Sequence, residues 1–339
     1  ERAQVSTALA LKGLFEAERN LNAAFVAGSM TVEAALGSRV PFDETISAIR
    51  GHPGQIEAAR IYRALLAPSE FEASHADCDR VQDPYSLRCA PQVHGAARDA
   101  LDNLRRVLDI ELNSATDNPL VFPEGGVAPE DTLATGRGLV ISGGNFHGEP
   151  IALALDYAKL AIAELGSISE RRVALLLDPR LNDGLPAFLG ASSGLDSGLM
   201  ILQYTAAALA SESKTLAHPA SADSIPTSAN QEDHVSMGSI AARTAMRVLE
   251  HTERIVAIEL ICASQGLDLR LDLQPDTVPG SGVADAHERV RSVIARLEQD
   301  REPGPDIEAA FRLVHDGALV DLADAPAGAD TSWLGPDPR

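Results

Sequence analysis

The sequence has 339 residues and a formal net charge of −21, with 45% hydrophobic and 23% charged residues. This composition is ordinary for a globular protein, and the acidic charge disfavours nucleic acid as a partner because it repels phosphates. No apolar run reaches the roughly 20 residues that a membrane-spanning helix needs, and no secretory signal is visible. The 3 cysteines are too scattered for a disulfide framework, so we expect a cytoplasmic protein.

Apolar residues recur at helical spacing along most of the chain. One predicted helical stripe consists of Ala10, Leu14, Ala17, Leu21 and Ala24, and the next of Val93, Ala97, Leu101, Leu104 and Leu108. Two longer segments, 147–177 and 235–265, are apolar or small almost all round, and Gly266 is predicted to end the second. Such helices must be covered on several sides. We therefore predict an all-α fold, a long central helical bundle that is also suited to oligomerisation.

The same pattern predicts the organisation of the chain. We expect a central bundle domain at 1–275, peripheral C-terminal helices at 276–321 and a flexible tail at 322–339. Polar stretches rich in Gly, Asn and Pro interrupt the bundle, and residues 123–138 within one of them are predicted to be a flexible insertion. Loops held by a rigid helical frame are where chemistry usually lies.

The first polar motif is QDPYSLRC, at 82–89. Its Asp-Pro pair starts a turn, from which Tyr85 and Arg88 are expected to project on one side. An Arg in a cleft is suited to bidentate capture of a carboxylate, and a Tyr acts as an acid or base only where its surroundings shift its pKa. The structural alternative is that Tyr85 caps a core and Arg88 pairs with an acid.

Two further motifs directly precede the two long apolar helices. SGGNFHGEP, at 142–150, contains glycines that let the backbone approach a ligand, although a simple helix start is an alternative. SANQEDHVS, at 228–236, places charged groups beside a buried helix, where they need partners or a function. Its structural alternative is a helix N-cap by Asp233.

Other enzyme classes fit these residues less well. A metal hydrolase has plausible ligands in His147, Glu149, Glu232, Asp233 and His234, but their spacing matches no His-Glu-x-x-His motif. A Schiff-base enzyme with a pyridoxal cofactor is disfavoured because no lysine lies in the three polar stretches. We therefore expect no bound metal.

Together and in this order, the three motifs resemble the signatures of the aromatic amino-acid ammonia-lyase family. The resemblance runs from about Gln4 to Arg270, and ATDNPLVF at 115–122 and CASQGLDLR at 262–270 also fall in their expected places. It implies an all-helical fold of the ammonia-lyase and fumarase-aspartase-like superfamily. It also implies a homotetramer whose active sites are shared between subunits.

The resemblance further implies a reaction and its residues. The family removes ammonia from an aromatic amino acid by means of a methylidene-imidazolone group, which forms autocatalytically from an Ala-Ser-Gly triplet. By matching positions, the expected substrate-binding residues are Arg88, Gln82, Asn145 and Gln231, and the expected catalytic residues are Tyr85, Phe146 and Glu232. Arg88 would hold the substrate carboxylate, and Phe146 would pack beside the prosthetic ring.

Glu232 indicates the substrate. A carboxylate suits an imidazole N–H far better than a phenyl ring, against which it would be unpaired. We therefore expect L-histidine as substrate and trans-urocanate as product. The alternatives are a tyrosine or phenylalanine ammonia-lyase or aminomutase and, from a different class, a non-catalytic scaffold subunit.

The sequence also departs from the family pattern. It contains no Ala-Ser-Gly triplet, and the nearest match, GASSG at 190–194, is in the wrong context. The family's catalytic Tyr loop and substrate-binding His are missing, and Glu1-Arg2-Ala3 stand where Asn-Gly-Thr is expected. We therefore expect a chain that lacks the electrophile-forming N-terminal part, is inactive alone and has that part as a possible partner.

Overall fold

The computed structural model describes residues 2–74, 81–122, 139–191 and 194–323. The helices of these ranges are α1 (Arg2–Ala34), α2 (Glu44–Arg50), α3 (Pro53–Leu66), α4 (Phe71–Ser74), α5 (Tyr85–Arg88), α6 (Ala90–Glu111), α7 (Glu149–Leu177), α8 (Met200–Leu216), α9 (Gly238–Leu273), α10 (Ser281–Arg291), α11 (Gly304–His315) and α12 (Val320–Ala323). Two short strands, β1 (Leu120–Phe122) and β2 (Leu139–Ile141), pair antiparallel, with Leu120 opposite Ile141. The all-α prediction is confirmed.

The core lies between the three longest helices. α9 packs along both α1 and α7, and α6 covers α7 from another side. The predicted stripes are buried in these contacts, with the one exception of Val93, which is half-buried. This burial explains the helices, because apolar residues three and four positions apart form one continuous face against the neighbouring helix. The predicted insertion at 123–138 and the predicted tail beyond residue 323 lie outside the described residues.

The prediction that Gly266 ends its helix is wrong. α9 continues to Leu273, and Gly266 lies inside it against α1. A Cβ atom added at Gly266 would lie 3.1 Å from the Cβ of Ala34, so the glycine serves close helix packing. The close approach offsets the usual cost of glycine within a helix.

The C-terminal helices pack on the outside of the long ones. α11 lies on α9 and α1, and α12 lies on α1. α9 ends two residues before the predicted boundary at 275, but the division into a bundle domain and peripheral helices stays a prediction. Among the described residues, no helix is both long and apolar enough to cross a membrane.

Candidate active site

Two of the three sequence motifs meet where α7 and α9 begin. The Nε2 atom of His147 lies 3.3 Å from the backbone oxygen of His234, and the two imidazole rings are 5.6 Å apart. Gly148 allows this approach, since a Cβ atom there would lie 3.1 Å from the hydroxyl of Ser236. We call residues 142–148 and 228–237 the Phe146 cluster. Phe146, a member of its glycine-rich half, is 46% exposed.

The glycine-rich half of this cluster is held by the loop that follows α6. The side-chain oxygen of Asn118 accepts hydrogen bonds from the Ser142 hydroxyl at 3.0 Å and from the Gly143 N–H at 2.8 Å. The amide of Asn145 donates to the backbone oxygen of Ala115 at 3.3 Å. The loop is thus tied down while Phe146 stays accessible, which fits a surface that receives another group.

The acidic half of the cluster is a tight loop around Glu232. Three hydrogen bonds join Thr227 and Glu232: the Thr227 N–H donates to the Glu232 backbone oxygen at 3.0 Å, the Glu232 N–H donates to the Thr227 backbone oxygen at 3.3 Å, and the Thr227 hydroxyl donates to the Glu232 carboxylate at 2.8 Å. Three consecutive residues, 228–230, have φ between 51° and 70°, a left-handed conformation that is costly for side chains other than Gly. Glu232 and its neighbour Gln231 are both exposed.

The alternative interpretation of this loop as a helix cap is wrong. The N-cap residue of α9 is Met237 rather than Asp233, and its side chain makes no capping hydrogen bond. The loop therefore has a conformation that the start of the helix does not require. Strained loops of this kind are found where a structure presents side chains to a ligand.

The third motif lies in a different part of the molecule. α5 carries Tyr85, which is 73% exposed, so the alternative that it caps the core is wrong. Tyr85 borders a cavity of about 700 Å³, which we call the Tyr85 cavity. Pro84 and Ser86 line it on the same side, and the facing residues include Ala174, Arg180 and Phe188.

The cations that line the Tyr85 cavity each lie beside an acid. Arg180 holds the carboxylate of Asp178 with Nη2 to Oδ2 and Nε to Oδ1 distances of 2.7 and 3.0 Å. These hydrogen bonds lower the pKa of Asp178 to about 2. Arg171 forms an ion pair with Glu170. The facing wall thus offers planar guanidinium groups whose charge is largely balanced locally.

Arg88 and Gln82 flank Tyr85 in sequence, and both are exposed. The turn between them is anchored from the segment that follows α1, because the Ser38 N–H donates to the Asp83 carboxylate at 2.7 Å. Leu87 is buried against Gly37, where an added Cβ atom would lie 3.2 Å from the leucine methyl. The α5 segment is therefore fixed on its inner side and presents polar side chains outward.

The Phe146 cluster and the Tyr85 cavity lie at opposite ends of α7. The cluster directly precedes Glu149, the first residue of α7, whereas the α7 residues that line the cavity begin at Arg171. At about 1.5 Å per residue, Glu149 and Arg171 are about 33 Å apart along the helix. A single chain therefore does not bring Tyr85 and Arg88 together with Phe146 and Glu232.

Sequence reasoning missed the residues of the facing wall. Asp178 and Pro179 form the same Asp-Pro turn signature as Asp83 and Pro84, so the sequence did contain a signal for this turn.

Among the described residues, no group of three or more His, Cys, Asp or Glu side chains lies close enough to hold a metal ion. Ser192 and Ser193, the centre of the GASSG segment, lie outside the described residues.

Comparisons with known proteins agree with the three motifs. A model of the aromatic amino acid lyase family matches residues 2–292. Histidine ammonia-lyase from Sorangium cellulosum is 51% identical over 96% of this chain and 61% of its own length. Histidine ammonia-lyase from Anaeromyxobacter dehalogenans is 54% identical over 93% of this chain and 59% of its own length. The chain thus spans about three fifths of the length of the curated relatives it matches.

Solved structures of similar fold include two with different activities in their names. Histidine ammonia-lyase from Trypanosoma cruzi has a TM-score of 0.82 at 43% identity, over 95% of this chain and 58% of that one. Tyrosine aminomutase from Streptomyces globisporus also has a TM-score of 0.82, at 34% identity, over 94% of this chain and 61% of that one. The fold is therefore shared between lyases and aminomutases.

Proposed function

Because this chain belongs to the aromatic amino acid lyase family, we propose that it forms part of an enzyme that eliminates ammonia from L-histidine to give trans-urocanate. The observation that carries the proposal is Glu232, an exposed carboxylate that Thr227 holds in the Phe146 cluster at one end of the bundle. A carboxylate there accepts a hydrogen bond from an imidazole N–H, whereas a phenyl ring has no hydrogen-bond donor. The identity to histidine ammonia-lyases over nearly all of the chain supports the same substrate.

The Phe146 cluster fits a planar prosthetic group. Phe146 presents an exposed ring, and added Cβ atoms at Gly143 and Gly144 would meet nothing within 4 Å. We propose that Phe146 packs against the family's methylidene-imidazolone ring and that Asn145 supports it from the braced loop. When present, this group supplies an electrophile for the amino group of the substrate. The printed sequence contains no Ala-Ser-Gly triplet, so in this proposal the triplet comes from outside residues 1–339.

The Tyr85 motif binds the other end of the substrate in this proposal. Arg88 is exposed at the end of α5, and its fork of N–H donors matches a carboxylate. The exposed hydroxyl of Tyr85 and the amide of Gln82 hydrogen-bond to the substrate or its electrophilic partner. Glu232 and Gln231 orient the imidazole from the opposite side.

These roles require more than one copy of the chain. Exposed apolar residues follow α7 at Leu153, Tyr157 and Leu160, between its two functional ends. Antiparallel pairing of α7 with α7 of another copy would bury this stripe. It would also place the Phe146 cluster of one copy beside the Tyr85 cavity of the other, as in an isologous contact. We therefore propose active sites shared between subunits, in the homotetramer that the family resemblance implies.

We also propose that the enzyme acts in the cytoplasm. Among the described residues, Cys89 and Cys262 are free thiols, and Cys262 is fully buried. Burial raises the pKa of the Cys262 thiol well above its ordinary value, so it stays protonated and unreactive. Free thiols of this kind fit a reducing compartment.

The test is an assay of the complete protein that contains this chain. With L-histidine, we expect the ultraviolet absorbance of urocanate to appear, and the Glu232→Gln variant to lose most of that activity while keeping its stability. The matched control is Glu250→Gln, an exposed change on α9 that should leave turnover unchanged. Faster conversion of L-tyrosine or L-phenylalanine would favour the alternative lyase or aminomutase, and no turnover of any of them would favour a scaffold.

A further inference from the structure

The motif CASQGLDLR ends in an arginine that is buried near the end of α9. Arg270 is 3% exposed, and its guanidinium group donates to backbone oxygens of two separate segments. Nε and Nη2 donate to the Ala34 oxygen at 3.1 and 3.0 Å. Nη2 also donates to the Asn182 oxygen at 3.0 Å, and Nη1 to the Asp183 oxygen at 3.1 Å. One side chain thus joins the end of α1 to the turn after α7.

The first of these segments leads directly to Tyr85. Ala34 is the last residue of α1, and its carbonyl is one of those that a helix end leaves without a partner in the helix. Within the next four residues, Gly37 packs against Leu87 and the Ser38 N–H donates to Asp83. The position of the α1 end therefore sets the position of the α5 segment, which forms one wall of the Tyr85 cavity.

The second segment forms the facing wall. The turn at 182–183 lies between Arg180 and Phe188, which both line the cavity. Asp183 and Phe188 have φ values of 57° and 55°, so this backbone is strained and needs partners elsewhere to keep its conformation. Gln265, on α9, holds the continuation of the wall through hydrogen bonds from its amide to the backbone oxygens of Leu189 and Leu297, at 3.4 and 3.0 Å.

We propose that Arg270 is a positioning residue of the active site, which sets the distance between the two walls of the Tyr85 cavity by binding both at once. Only arginine offers several N–H donors in one rigid plane, so it reaches three carbonyl oxygens on two segments. Lysine keeps the positive charge but lacks the planar set of N–H donors. The catalytic part of this role rests on the proposed function, whereas its structural part does not.

Hydrogen–deuterium exchange of the complete protein that contains this chain tests the structural part. In Arg270→Lys, we expect faster exchange in both walls of the cavity. The first wall comprises residues 34–38 and 82–89, and the second comprises residues 178–190. The middle of α9 should keep its protection. The matched control is Arg247→Lys, on the same helix, where the arginine binds exposed Glu212; neither wall should change. Unchanged walls in Arg270→Lys, or faster exchange spread evenly over the bundle, would overturn the proposal.

A second variant and a kinetic measurement complete the test. Arg270→Gln keeps two N–H donors and should speed exchange in the same two walls. If both variants lose cooperative unfolding, Arg270 is a general folding determinant and the proposal fails. In the complete enzyme, a misplaced wall should lower kcat for L-histidine by on the order of 10- to 100-fold, and Arg247→Lys should not. A wild-type enzyme that does not act on L-histidine would refute the proposed function, while the exchange result would still decide the role of Arg270.

Discussion

Arg172 and Glu259 form an ion pair at the centre of the bundle, with 2.8 Å between Nη2 and Oε2 and both side chains fully buried. The same carboxylate accepts hydrogen bonds from Ser169 at 2.6 Å and Thr31 at 2.8 Å. Residues of α1, α7 and α9 therefore meet at one carboxylate. Burial, and then the charge of Arg172, hold the pKa of His94 well below its ordinary value, so that imidazole stays neutral.

Glu259→Gln should destabilise the protein strongly, because it leaves the Arg172 charge buried without its counterion. Breaking a buried pair in this way costs about 3–5 kcal/mol in the free energy of unfolding. The matched control is Glu308→Gln, which removes the exposed partner of Arg254 and should cost about 0–1 kcal/mol. Denaturant unfolding measures both values. Similar losses in the two variants would contradict the central role of the buried pair.

Glu33 should make stability depend on pH. Burial raises the pKa of Glu33 to about 7, against the opposing effects of Ser69, the Gly280 N–H and Arg39. The folded state therefore holds this proton more tightly than the unfolded state. The resulting stabilisation is complete below the unfolded pKa of about 4.3 and is lost as the pH rises through about 7. In Glu33→Gln, the free energy of unfolding should fall less over this range.

Glu57, whose pKa is lowered rather than raised, provides the control. Hydrogen bonds from Arg60 lower the pKa of Glu57, so its contribution is present at neutral pH and is lost as the pH falls through the lowered pKa. Glu57→Gln should therefore leave the decline between about pH 4.5 and pH 7 unchanged. Urea unfolding at several pH values measures both variants. A wild-type decline in Glu33→Gln would show that this carboxyl does not cause it.

The apolar stripe on α7 should govern assembly. Leu153→Glu places a carboxylate where the proposed contact between copies is buried, and an unpaired buried charge costs several kcal/mol. We expect the mass measured by light scattering to fall below that of a tetramer, while the helical circular dichroism is unchanged. Ile49→Glu on α2, another exposed apolar position, should leave the mass unchanged. A Leu153→Glu protein of unchanged mass would place the interface elsewhere.

Periodicity was enough to predict the helices of the bundle, because their buried faces repeat in the sequence. It misplaced the end of α9, since Gly266 looks the same whether it ends a helix or lets another helix approach. No glycine marks the left-handed backbone at residues 228–230, so the sequence did not predict the conformation of this loop. Glu232 was identified instead from the chemistry of its carboxylate and from the family resemblance. Sequence order also did not reveal that Tyr85 and Phe146 lie at opposite ends of α7, because that depends on tertiary packing.

The most direct test of the shared active site is complementation between two inactive variants of the complete protein, Tyr85→Phe and Glu232→Gln. In mixed tetramers, sites that combine Glu232 from the first variant with Tyr85 from the second contain both wild-type residues. With random mixing, co-expression should restore about one quarter of the wild-type activity toward L-histidine. Activity no higher than that of the separate variants would show that both residues serve one site within a single chain, contrary to their separation along α7.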